Sequence, residues 1–129
     1  MKVYYAHCQA IYNTVQEQRD MDMLHKLGFE VVNPSDQVHI AEVINIKKQS
    51  SEEQQASAQI MAYFIKIVIE CDALAFRAMP DGSIGAGVFE EISMMQRMGK
   101  PIFELPSGIL RRRLSIEQTR EYLRECGQR

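Results

Sequence analysis

Cysteine is scarce in this chain and poorly spaced for structural work. The three, Cys8, Cys71 and Cys126, are odd in number and far apart, which indicates neither a disulfide framework nor a zinc site. A reducing, cytoplasmic setting fits them. No apolar run approaches the roughly 20 residues of a membrane span, so no membrane partner is expected. The chain opens directly on a strand-like stretch from Lys2, with no signal peptide expected. An excess of charge is missing too: a formal net charge of −2 gives no electrostatic reason to expect a nucleic-acid polymer as partner. The only dense basic cluster, Arg111, Arg112 and Arg113, reads as a solvated loop. There is no internal repeat and no low-complexity tract.

What is present is ordinary for one globular domain. The 129 residues are enough for a real core, and 46% hydrophobic with 25% charged residues is a common balance. Lys2 to Ala6 (KVYYA) reads as strand one. Thr14 is placed to cap a helix running to Leu27, with Glu17 completing a capping box. Met21, Leu24 and Leu27 share its inner face, and Gly28 is its natural stop. Phe29 to Val32 is strand two, ended by Asn33-Pro34. Residues 36–51 read equally as a short helix or an irregular flap. Glu52 to Cys71 is a helix by its apolar spacing, capped by Ser51. Ala73 to Phe76 is strand three, Val88 to Met98 a helix stopped by Gly99, and Pro101 to Leu105 strand four. Leu114 or Ser115 opens a last helix to about Glu125.

Strands alternating with helices imply right-handed crossovers and a parallel sheet covered on both faces. The expected fold is α/β: a three-layer, doubly wound parallel sheet of about four to five strands, flavodoxin- or Rossmann-like. Strand order 2-1-3-4 puts the reversal between strands one and three, where such sheets bind ligands. The residues just past those strands are His7 to Gln9 and Arg77 to Gly87, which makes His7 and Arg77 candidate contacts.

The stretch from Asp72 to Leu105 carries most of the chemistry. Gly82, Gly85 and Gly87 occupy the turn between strand and helix, where the first backbone N–H groups of a helix are free to face a polar ligand. Glu90 and Glu91 fall in the first turn expected for that helix, where its dipole should keep a carboxylate ionised at neutral pH. Asp72 stands just before strand three. Each has a plainer explanation: turn geometry for the glycines, a helix-start preference for the acids, a solvated strand end for Asp72. Tyr4 and Tyr5 face opposite sides of the sheet, and ring packing is the default for both. His25 reads as surface, and Met94, Met95 and Met98 as core filler.

The combination of Tyr4 on strand one, Asp72, the GAG turn, the following glutamates and GKPI resembles the nucleoside 2-deoxyribosyltransferase-like family, which includes 2'-deoxynucleoside 5'-phosphate N-hydrolases. The resemblance runs from KVYYA through GFEVVNP to GKPIFEL and is most specific from Asp72 to Pro101. Enzymes of that family carry a glutamate nine residues before the lysine of the GKP strand entry. Counting back from Lys100 selects Glu91 over Glu90.

The resemblance implies cleavage or transfer at the N-glycosidic bond of a nucleoside or nucleoside 5'-monophosphate. Glu91 would be the nucleophile at C1', Asp72 the proton donor or positioning group, and Tyr4 the phenol that holds the nucleophile. Ser83 and the N–H groups from Gly85 to Val88 would meet a 5'-hydroxyl or 5'-phosphate, with Glu90 beside them. It implies no metal and no cofactor, and a homodimer or larger homo-oligomer with residues 36–51 as lid or subunit surface. The loop after strand one departs from the family pattern: His7 and Cys8 stand where the nucleotide hydrolases have a glycine-serine pair. A non-catalytic module that captures a nucleotide-derived small molecule therefore remains the alternative.

Overall fold

The computed structural model describes residues 1–106 together with positions 120 and 124. In chain order the elements are β1 (Lys2–Ala6), α1 (Val15–Lys26), β2 (Glu30–Val32), α2 (Gln37–Gln49), α3 (Glu53–Glu70), β3 (Ala73–Phe76), α4 (Ala86–Arg97) and β4 (Ile102–Glu104). Of the last helix expected, over residues 115–125, only positions 120 and 124 are among the described residues. Among the described residues the sheet has four strands in the order β2-β1-β3-β4, every pair parallel. The fold is the α/β doubly wound parallel sheet expected, with its reversal between β1 and β3.

The alternation of β1 creates the two layers. Tyr4 and Ala6 face one side, where they join Val68 of α3 and Val88 and Met95 of α4. Val3 and Tyr5 face the other, with Leu24 of α1, Ala73, Ala75 and Leu105. Strands buried on both faces read as near-continuous apolar runs, which is why KVYYA and ALAF carry so little polar alternation.

Local chemistry sets the helix ends. The Thr14 hydroxyl accepts from the Glu17 N–H at 3.2 Å, as a cap should. The Glu17 carboxylate reaches past Thr14 to the Asn13 N–H at 3.2 Å. Gly28 and Gly99, at φ +88° and +67°, end α1 and α4 in the left-handed region that favours glycine. Leu27 does not join the inner face of α1; it lies past the last helical turn and is exposed. The α3 cap is Glu52 rather than Ser51, and its side chain makes no capping bond. Residues 37–49 are a regular helix, packed against α3. The ammonium of Lys100 donates to the Ile69 and Cys71 carbonyls at 2.8 and 2.7 Å, which satisfies the carboxyl end of α3. Among the described residues no helix is long and apolar enough to cross a membrane.

Candidate active site

A cavity of about 440 Å³ opens at the carboxyl ends of β1 and β3. The loop after β1 contributes Cys8 and Tyr12, and the start of α4 contributes Gly85, Gly87 and Val88. Lys47 of α2 and Ser57 and Phe64 of α3 complete it, with Tyr4 and Glu91 side by side among its lining. A smaller groove of about 250 Å³, lined by Ile40, Val43 and Ile44, shares Tyr12, Lys47 and Phe64 with it.

Glu91 is the centre of this site. The Tyr4 hydroxyl donates to Glu91 Oε2, within the buried layer between β1 and α4. Glu91 is buried, and burial pushes its carboxyl up to about 7, against the bond from Tyr4, which pulls it down. The ionised first-turn acid expected from the sequence is thus corrected. α4 begins at Ala86, two residues earlier than expected, so its first turn holds no acid. Glu91 sits past the reach of the helix dipole and answers to desolvation instead. Tyr4 is raised well above its ordinary value, by burial first and by Glu91 next, so the proton of the pair rests on the phenol. Glu90, the neighbouring acid, is exposed and does not line the cavity.

Gly85 and Gly87 line the cavity at the start of α4. A Cβ on Gly85 would stand 2.9 Å from Cys8 Sγ, too close for an ordinary contact, so the turn and the β1 loop pack only through a bare glycine. Gly85 is the N-cap of α4 and offers no side-chain cap, leaving the first amides of the helix without a local acceptor. Gly87 has open space where its Cβ would be.

Four other candidates are placed elsewhere or are already engaged. Asp72 precedes β3, whereas the cavity follows its other end. Its carboxylate accepts from the Lys2 N–H at 2.8 Å at the amino edge of the sheet. Arg77 is buried and bidentate on Asp20, Nε to Oδ2 at 3.0 Å and Nη2 to Oδ1 at 2.6 Å. Its Nη1 donates to the Pro106 carbonyl at 2.8 Å, and the buried side chain does not line the cavity. Ser83 turns to Asp81 at the exposed loop tip, its hydroxyl donating to Oδ1 at 2.6 Å. His7 borders the cavity, but its side chain is fully buried beneath it.

The His7 ring stacks on Tyr5, centroids 3.8 Å apart and planes 12° from parallel. Its Nδ1 lies 3.0 Å from the Tyr5 carbonyl, which only accepts, so Nδ1 carries a hydrogen. Nε2 lies 2.7 Å from Glu17 Oε2, a contact that requires a proton between the two atoms. Burial lowers His7, opposed by Glu17 and the Tyr5 carbonyl, yet with both ring nitrogens facing acceptors the geometry keeps the shared proton on the imidazole. Burial raises Glu17, but the bonds it accepts outweigh this and hold it below its ordinary value. Tyr5 completes the layer, donating to Asp20 Oδ2 at 2.5 Å. These groups brace the sheet on the α1 side.

The sequence reading did not single out Tyr12, Lys47, Ser57 or Phe64. Tyr12 lies in the loop after β1, three residues past the stretch His7 to Gln9 that faces the ligand end, and that proximity is its only signal. Lys47 and Phe64 stand on helices with no local motif, and only the packing of α2 on α3 brings them to the cavity. Among the described residues no cluster of three His, Cys, Asp or Glu side chains is arranged to hold a metal ion. No protein-family model matches the chain, and no curated protein matches it.

Proposed function

We propose that the protein cleaves or transfers at the N-glycosidic bond of a nucleoside or nucleoside 5'-monophosphate, with Glu91 as nucleophile. One observation carries this reading: a buried carboxylate, held through one oxygen by a phenol, lines a cavity at the strand reversal. Breaking an N-glycosidic bond builds oxocarbenium character at C1'. An ionised Glu91 forms a bond to that carbon as the C1'–N bond breaks and its electron pair leaves with the base, which takes up a proton from water. Water, or a second base, then attacks C1' and releases the carboxylate. Tyr4 fixes one oxygen of Glu91 so that the other is aimed, a positioning role. With the acid raised to about 7, activity should rise as pH passes through neutrality.

The test is release of free base from a panel of ribo- and deoxyribonucleosides and their 5'-monophosphates. No release by the wild type, or undiminished release by Glu91→Ala, refutes the reading.

A second reading, capture of such a ligand without turnover, is favoured by a specific observation. Among the described residues lining the cavity Glu91 is the only acid, whereas glycosyl hydrolysis usually employs two. Tight binding with the ligand recovered intact supports this second reading. We also propose self-association, supported by exposed Val38 and Ile44 on α2; light scattering on the eluting peak tests it, and a monomer refutes it. The free thiols of Cys8 and Cys71 support a reducing, cytoplasmic compartment.

A further inference from the structure

We propose that Lys47 sets the charge preference of the cavity: its ammonium binds a phosphoryl group on the ligand, so a phosphorylated nucleoside is held in preference to the neutral one. The proposal rests on the reading of the cavity as a nucleoside site and deepens it. α2 delivers Lys47 both to the main cavity and to the groove beside it. Among the described residues of the main cavity Lys47 is the only cation able to reach a ligand, since the His7 side chain is fully buried. Among the described residues Lys47 enters no ion pair, so its charge is not already committed to a neighbour.

The electrostatics of the site call for such a group. An ionised Glu91 repels a dianionic ligand, and an ammonium on a flexible stem offsets that repulsion at the point where the phosphoryl group settles. The start of α4 adds to it. Gly85 leaves the first amides of the helix without a side-chain acceptor, and Gly87 leaves open space before them. Gly87 and Glu91 lie one turn apart on the same helix, about 6 Å along its axis. A phosphoryl group at the helix start therefore keeps clear of the carboxylate while the pentose spans the interval. A neutral nucleoside leaves both positive features unused.

Calorimetric titration tests this on the full chain carrying Glu91→Gln, which blocks turnover, and on the same chain carrying Lys47→Ala in addition. The ligands are a deoxynucleoside, its 5'-monophosphate and inorganic phosphate. The monophosphate should bind more tightly than the nucleoside, and inorganic phosphate should compete with it. Lys47→Ala should weaken monophosphate binding roughly ten- to a hundredfold and leave the nucleoside unaffected. Lys48→Ala, at an exposed lysine that does not line the cavity, should change neither. Equal affinity for nucleoside and monophosphate, or an equal loss with Lys48→Ala, overturns the role of Lys47. If base is released without charge preference, Lys47 falls and the glycosyl reading stands. If binding depends on Lys47 but the wild type releases no base, the reverse holds. Absence of binding by all three ligands overturns both.

Discussion

Replacing Glu91 with glutamine should make the protein more stable above neutrality. The carboxyl titrates at about 7 in the folded protein against an ordinary value of 4.5. The folded state therefore binds this proton more tightly than the unfolded state does. Between those two values the folded chain holds the proton and the unfolded chain has lost it, so stability falls as pH rises. Below 4.5 the penalty is absent, and above about 7 it is complete. At about 1.4 kcal/mol per pH unit, the loss attributable to this one group is on the order of 3 kcal/mol.

Most of that loss falls between pH 5 and pH 8, roughly 2–3 kcal/mol. Glutamine does not titrate and still offers the Tyr4 hydroxyl a carbonyl acceptor. Urea unfolding of wild type and Glu91→Gln at the two pH values isolates the effect, because every other titrating group is common to both. The stability difference between them should shift by that amount in favour of the variant, or roughly 10 °C in thermal midpoint. Parallel pH–stability curves for the two proteins would refute the reasoning. They would mean that Glu91 titrates near its ordinary value and that its burial costs nothing.

Other expected outcomes follow from the same geometry. Tyr4→Phe removes the one bond that pulls the Glu91 carboxyl down, so the acid should titrate higher; the alkaline shift is readable by NMR or in the pH–rate profile. Gly85→Ala should destabilise by about 1–2 kcal/mol because its Cβ meets Cys8 Sγ at 2.9 Å. Adding Cys8→Ala should recover most of that loss in chemical denaturation. Arg77→Met strands the buried Asp20 carboxylate and should cost about 3–5 kcal/mol, with circular dichroism reporting the lowered midpoint. Lys100→Met leaves two carbonyls at the end of α3 without their donor and should cost about 1–2 kcal/mol.

The sheet was legible because its signals are local. KVYYA and ALAF are short apolar runs bounded by loop residues, and Gly28 and Gly99 mark helix ends by a backbone conformation that few other residues adopt. Parallel pairing followed from the alternation of strands with helices, and the order 2-1-3-4 comes from the common doubly wound arrangement. Within the site, Tyr4 and Glu91 are legible through the resemblance, and the structure brings them together. Glu91's ionisation was not legible, because it depends on how deeply α4 packs and on where that helix begins. Asp72 and Arg77 were misplaced for separate reasons. Asp72 owed its role to the resemblance alone, although a residue before strand three stands at the end of the sheet opposite the one that binds ligands, and a guanidinium past a strand end says nothing of an acid 57 residues away. Residues 36–51 carry apolar side chains at mixed spacing, so only contact with α3 settles them as helix.

The two neighbouring tyrosines of β1 have a consequence for assembly. Tyr4 reaches through one layer to an acid on α4, and Tyr5 reaches through the other to an acid on α1. Displacing β1 by a single position against β2 and β3 would turn both phenols to the wrong side at once. Because the two are adjacent, such a slip sets one tyrosine where the other stood, so one acid meets a phenol and the other loses its own: Glu91 for a slip one way, Asp20, which keeps Arg77, for a slip the other way. Correct alignment of the central strand is thus checked on one side or the other, whichever way the strand slips, and only the native register gives both acids their phenols.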